Sequence, residues 1–171
     1  MIVLTGGPGS GKTSVANSLR QDGFRVAKES GRKILQSDGG MALRESNPLG
    51  YALAMLELDK QNFVSAIATD ETTIYDRGIP DIAGYLELMN IPIPKALDDA
   101  CYAHRYTGPI FAVPPWREIY RTDDQRSQSF EEACGTYDTV CSAWKKYGYS
   151  LLELPKMSVE NRTDFILNNL S

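Results

Sequence analysis

Along the chain, short apolar runs that end in turn residues alternate with longer stretches in which apolar side chains recur every three or four positions. A strand buried on both faces reads as a continuous apolar run, and an amphipathic helix reads as a stripe of 3.6-residue period. Their alternation predicts an α/β fold, a five-stranded parallel sheet flanked by helices. Strands are expected at residues 2–5, 24–28, 72–75, 109–113 and 149–154. Between them, Asn47 is placed to cap a helix with Pro48 in its first turn, and Leu49, Leu53, Leu56, Phe63 and Ile67 mark its apolar face. A second helix should follow Pro80 and carry Ile82, Leu86 and Met89 inward before Pro92 and Pro94 break the chain. Ser129 and Glu132 have capping-box spacing for a third, and Ser158 is the expected cap of a last helix that packs Phe165, Ile166 and Leu170 on the sheet.

Composition narrows this picture. With 171 residues, 42% of them hydrophobic and 23% charged, and with no repeat, linker or low-complexity stretch, the chain is expected to form one domain around one core. A net charge of −4 argues against a broad basic face, so no nucleic-acid partner is expected. Cys101, Cys134 and Cys141 lack CxxC spacing and read as buried thiols, while the single histidine, His104, reads as a surface residue without a role. No uncharged apolar run approaches the roughly 20 residues of a membrane span. The apolar start at Ile2 lacks the pattern of a signal peptide, so a cytoplasmic, membrane-free protein is expected.

The strongest chemical signal follows the first strand. Gly6, Gly7, Pro8, Gly9, Ser10, Gly11, Lys12 and Thr13 fit G-x-x-x-x-G-K-[ST] at every fixed position, with Ser14 continuing into a helix. Glycines let successive backbone amides converge on phosphate oxygens at a helix N-terminus, where the dipole favours anions. Lys12 should reach the β- and γ-phosphates of ATP, and the Thr13 hydroxyl is placed to hold Mg²⁺. Downstream, a second apolar run ends in Asp76, a carboxylate for the Mg²⁺ side or, with Arg77, a charged turn. Arg117, Arg121 and Arg126 crowd a polar segment that could close over phosphates as a lid or lie as a solvated face. Glu29, just after the second strand, could take a proton from an attacking hydroxyl or serve in a salt bridge.

With TGGPGSGKTS at residues 5–14, DRGIPD at 76–81, TDDQR at 122–126, YGY at 147–149 and LPKMSVENR at 154–162, nearly the whole chain resembles the NadR-type family of P-loop ATPases and kinases. The AAA-style domain of that family is shared with ribosylnicotinamide kinase. The resemblance implies a kinase-like P-loop fold with strand order 2-3-1-4-5, ATP and Mg²⁺ at the loop, and a lid containing Arg121 and Arg126. It also implies an acceptor pocket beside Arg77, Asp81 and Tyr85, although Tyr85 could simply pack against the sheet.

The expectation is therefore a small-molecule kinase, with Lys12, Glu29, Asp76, Arg121 and Arg126 in catalytic roles, Mg²⁺ as cofactor, and ATP and an unidentified hydroxyl acceptor as partners. A nucleotide-dependent regulatory ATPase or switch is the second class. The chain has no Asn-Lys-x-Asp segment to read guanine, and Arg77 stands where many motor ATPases place a catalytic glutamate. Neither the acceptor nor the oligomeric state is written in any motif.

Overall fold

The structure is a computed structural model that describes residues 1–121 and 128–170. Its strands are β1 (Ile2–Thr5), β2 (Arg25–Ala27), β3 (Thr73–Asp76), β4 (Ile110–Ala112) and β5 (Leu151–Glu153). They form one parallel sheet in the order β2-β3-β1-β4-β5, the order the family resemblance implied. The helices are α1 (Lys12–Gln21), α2 (Ser30–Leu35), α3 (Gly40–Ser46), α4 (Pro48–Ile67), α5 (Ile79–Leu88), α6 (Lys95–Ala103), α7 (Phe130–Lys146) and α8 (Val159–Asn168). Among the described residues, no helix is long and apolar enough to cross a membrane.

Alternation along the strands sends side chains to two cores. Ile2 and Leu4 join Val15 and Leu19 of α1 and Ile166 of α8 on one face. Val3, Tyr75 and Ile110 meet Phe63, Tyr106 and Trp144 on the other. Parallel register then fixes the site. Leu4 lies opposite Asp76, Thr5 opposite Ala112 and Ala27 opposite Tyr75, so the segments leaving β1, β2, β3 and β4 emerge side by side at one edge of the sheet. That edge is where ligands bind in open α/β sheets.

Three predicted helix starts form as the residue types require. Asn47 accepts a bond from the Gly50 amide at 2.8 Å. Ser129 and Glu132 exchange bonds of 3.1 and 2.6 Å, and Ser158 accepts from the Asn161 amide at 3.2 Å. Helix α4 corrects the expected face: Leu49 and Leu53 are 37% exposed and Ile67 60% exposed. Leu56 and Phe63 are buried as expected, and the rest of the stripe is Tyr51, Ala52, Met55, Asp59 and Ala66. An acidic residue and two alanines inside the stripe hid its true direction. Met89 falls just past α5 and is exposed, whereas Ile82 and Leu86 are buried as expected. Cys101 and Cys141 are buried thiols and Cys134 is half-buried, all three free. His104 is not a bare surface residue, since its ring sits edge-on to Phe63 with centroids 5.1 Å apart.

Candidate functional site

Residues 6–11 link β1 to α1 across the edge of the sheet, and the side chains they lack make room for the surrounding chain. A Cβ at Gly9, whose φ is +69°, would meet the Tyr120 ring at 2.5 Å. Gly11 caps α1 at φ +88°, and a Cβ there would lie 3.1 Å from Arg162 Nη1. Both positions need glycine for conformation as well as for space. Lys12 opens α1, only 6% exposed, and its Nζ donates to the Gly7 carbonyl at 2.6 Å and to Ser10 Oγ at 3.3 Å. Burial, then the nearby Arg77 charge, lowers its pKa to about 8 against the opposing pull of Asp76, Glu29 and Asp81.

Asp76 ends β3 beside this loop. Its Oδ2 accepts the Thr13 hydroxyl at 2.9 Å, while its Oδ1 is buried without a partner among the described residues. Burial, followed by the Glu29 charge, pushes the Asp76 carboxyl above the usual range; Lys12, Arg77 and the Thr13 bond oppose the shift. A buried, orphaned carboxylate oxygen beside a hydroxyl is a donor set that fits Mg²⁺, a hard cation that takes one or two protein oxygens and fills its octahedron with phosphate and water. Among the described residues there is no cluster of three or more His, Cys, Asp or Glu side chains that could hold a metal by themselves. A metal here would therefore need the nucleotide's own oxygens.

Arg77 connects the remaining predicted residues. Its backbone is left-handed, φ +75°, a conformation costly for a non-glycine residue, and its amide bonds the Leu4 carbonyl at 2.9 Å. The guanidinium reaches Glu29 Oε1 at 3.3 Å, the Gly6 carbonyl at 2.9 Å and Asp81 Oδ1 at 3.3 Å. Glu29, at the N-cap of α2, faces Arg32 as well, at 3.7 Å. Asp81 is fully engaged: Thr5 Oγ1 at 2.7 Å and Arg77 on one oxygen, the Gly78 amide at 3.0 Å and Trp144 Nε1 at 2.9 Å on the other. Its geometry is that of an anchor for Arg77, with no oxygen left over. Tyr85 packs edge-on to Tyr51, centroids 5.6 Å apart, and its buried hydroxyl lies near Arg44, with no hydrogen-bond partner in good geometry among the described residues.

The predicted lid residues divide. Arg121 is exposed and donates to the carbonyls of Glu118 and Tyr120, at 3.1 and 2.7 Å, so it does not touch the phosphate loop here. Arg126 lies outside the described residues. Arg117 does not stack on Trp116, as its place in the sequence invites; it lies over Phe130 at 4.9 Å and pairs with Glu131 at 3.2 Å. The residue over Trp116 is Arg162, 5.1 Å from the ring centroid. Two side chains at the loop, Tyr120 against Gly9 and Arg162 against Gly11, were not anticipated as site residues. Arg162 did stand in the sequence as the last letter of a quoted motif, the one basic residue of α8.

A family model described as "AAA domain" matches residues 1–162. A search of the curated proteins finds no match. Among solved structures, the chain is similar to deoxyadenosine kinase from M. mycoides with the products dCMP and a flexible dCDP bound, at a TM-score of 0.72 and 13% identity, covering 99% of this chain and 97% of that one. It is similar to thymidylate kinase from Ehrlichia chaffeensis, TM-score 0.63 and 17% identity, with 99% and 97% covered. It is similar also to NadR protein in complex with NR, TM-score 0.69 and 13% identity; there 99% of this chain covers 50% of the other. At these identities the likeness establishes the fold, a P-loop fold of the kinase type.

Proposed function

Starting from a chain that belongs to the AAA-domain family, we propose a small-molecule kinase that transfers the γ-phosphoryl group of Mg-ATP to a metabolite hydroxyl. The observation that carries the reading is the pairing of Thr13 with Asp76 at 2.9 Å, at the foot of a complete phosphate loop, with the second Asp76 oxygen buried and free of any described partner. Gly6, Gly7, Pro8, Gly9, Ser10, Gly11, Lys12, Thr13 and Ser14 would cradle the phosphate chain, with amides and the α1 dipole directed at its charge. Mg²⁺, held by Thr13 and Asp76, would neutralise charge on the bridging oxygens.

The rest of the chemistry belongs to side chains. Glu29, near enough for its charge to act on Lys12 and exposed enough at 22% to meet a solute, would accept the proton of the acceptor hydroxyl. Arg77, strained and tied to Glu29, Asp81 and the Gly6 carbonyl, would hold that base at a fixed distance from the loop. Asp81 then acts by orienting Arg77, and Tyr85 with Tyr51 would wall the acceptor pocket. Arg121 and Arg126 would enter from the lid segment as charge spreads over the moving phosphoryl group.

The test is release of ADP from ATP across panels of nucleosides, vitamins, sugars and amino acids. Stimulation by one class names the acceptor. Turnover indifferent to every hydroxyl compound would reject the kinase and leave the regulatory ATPase.

A further inference from the structure

Arg162 carries a feature that the proposed transfer leaves unused. Its side chain is 1% exposed, although it lies just beneath the loop and not deep in a core. Nε donates to the Pro155 carbonyl at 2.9 Å and Nη1 to the Ser10 carbonyl at 2.8 Å. Nη2 is buried and without a partner among the described residues. No described carboxylate forms an ion pair with this guanidinium, and Trp116 covers it at 5.1 Å. Neutral carbonyls and a ring face compensate a buried cation poorly, and an unmade bond to a charged donor is costly.

The surroundings sharpen the imbalance. Gly11, against which Nη1 lies, is the N-cap of α1, and a helix N-terminus carries positive potential. Lys12 adds a second buried cation next in sequence. Carboxylates of the site, Glu29, Asp76 and Asp81, bond or pair with Arg32, Arg77 and Thr13, and none of them with Arg162. Positive charge thus converges on the loop from Lys12, the α1 amides and Arg162; Glu160 and Asp164 of α8 line the groove against Ser14, Asn17 and Ser18 of α1, and among the described residues no carboxylate pairs with Arg162 itself. A strap needed only to join two carbonyls would be served by a neutral donor, without the desolvation of a charge.

We propose that Arg162 is a ligand-binding residue of the phosphate loop, whose Nη2 donates to the phosphate chain of the bound nucleotide while Nε and Nη1 hold the residue 154–157 turn against Ser10. This rests on the reading of the loop as an ATP site. The ligand chemistry is a polyphosphate, and base and ribose play no part in the contact.

Titration calorimetry with Mg-ATP and, separately, with inorganic tripolyphosphate tests it on wild type, Arg162→Met and Arg162→Lys. Charge-assisted bonds of this kind correspond to roughly 10- to 100-fold in affinity. Arg162→Met is expected to lose that factor for both ligands, and Arg162→Lys, which keeps the charge but cannot bridge both carbonyls, should recover a large part of it. Unchanged affinity of Arg162→Met for both ligands overturns the proposal. So does a loss for ATP that spares tripolyphosphate, which would put the effect at the base end, or a loss in Arg162→Lys as deep as in Arg162→Met, which would make Arg162 a strap. Should Arg162→Met not fold, Arg162→Gln, which can still donate to a carbonyl but carries no charge, decides against Arg162→Lys: loss for both ligands in Arg162→Gln with recovery in Arg162→Lys supports the charge role, and affinity of Arg162→Gln within a few fold of wild type overturns it. If wild type itself binds neither ligand, the ATP reading fails first and takes this inference with it.

Discussion

Lys12 is where the proposed binding role would run against the stability of the fold. Its ammonium is buried against the Gly7 carbonyl, and burial, then Arg77, brings its pKa down to about 8. Between about 8 and the ordinary lysine value near 10.4, the unfolded chain holds a proton that the folded chain has released. Lys12 therefore favours folding increasingly as pH rises through that window, and its buried charge weighs against the fold below it. Lys12→Ala should accordingly lose Mg-ATP affinity severely, on the order of 100-fold or more, while its ligand-free thermal midpoint at pH 7 does not fall. Calorimetry and thermal unfolding on one preparation check both halves; unaltered ATP affinity in the folded variant would refute the role. Asp76 makes the complementary case. Asp76→Asn keeps shape but gives up a carboxylate oxygen, so turnover should drop at least about 100-fold, the scale for one preorganised electrostatic group. Its Mg²⁺ dependence should shift to higher concentration in a metal titration of the rate. Normal rate and normal Mg²⁺ dependence would make Asp76 a turn residue.

At the scale of elements, α4 meets the start of α2, beside Glu29, through Asp59. This carboxyl is 8% exposed and accepts from the hydroxyl of Ser30, the first residue of α2 and the neighbour of Glu29. Burial raises its pKa to about 7, with the Ser30 bond opposing and Asp81 and Glu29 adding to the rise. The folded chain then holds a proton here between about pH 4 and 7 that the unfolded chain has lost. This contribution to stability is complete below about pH 4 and disappears as pH rises through about 7. Asp59→Asn keeps an acceptor for Ser30 without the titration, so the variant should lose this pH dependence and be the more stable protein at pH 8, by up to roughly 4 kcal/mol. Denaturant unfolding at pH 5, 6, 7 and 8 measures it; parallel pH profiles for the two proteins would contradict it. Asp59 also marks where the sequence stops being readable. Helix starts could be read from Asn47, Ser129 and Ser158 because capping is local chemistry, and the phosphate loop because its spacing is. The α4 stripe could be read only at Leu56 and Phe63, since its direction depends on Asp59 finding Ser30 29 positions away. The short helices α2 and α3 were not anticipated because tertiary packing outweighs their weak local pattern. Arg162 escaped for the same reason as Asp59: the 152 positions between it and Ser10 are closed only by the fold.

In the molecule as a whole, four distant parts of the chain meet at the phosphate loop: β1 and α1, the end of β3, the segment between β4 and α7, and α8. Three belong to the rigid sheet and its covering helices. The fourth rests on the loop through Tyr120, whose ring occupies the space over Gly9 and whose hydroxyl bonds the Gln128 carbonyl at 2.6 Å. Ring contact with Phe130, centroids 5.5 Å apart, fastens the same segment to the start of α7. If this segment acts as the proposed lid, its arginines would reach a transferring phosphoryl group by a local rearrangement: among the described residues, Arg121 would have to release the exposed carbonyls of Glu118 and Tyr120. Neutral bonds open to water contribute about 1 kcal/mol each at most, so the rearrangement is well within reach of binding energy. An arginine used in this way acts on the transition state more than on the bound ground state. Arg121→Ala and Arg126→Ala should therefore slow single-turnover phosphoryl transfer at saturating ATP by about 10³-fold if either supplies the main stabilisation, with nucleotide affinity within a few fold of wild type. Arg117 is the comparison within the same segment. It is exposed, lies over Phe130 and pairs with Glu131, contacts that tie the segment to the start of α7. A surface pair of this kind contributes about 0–1 kcal/mol, so Arg117→Ala should cost less than tenfold. Wild-type rates in both Arg121→Ala and Arg126→Ala would remove the catalytic lid from the mechanism, and a loss in Arg117→Ala as large as theirs would show that the segment acts by its packing alone.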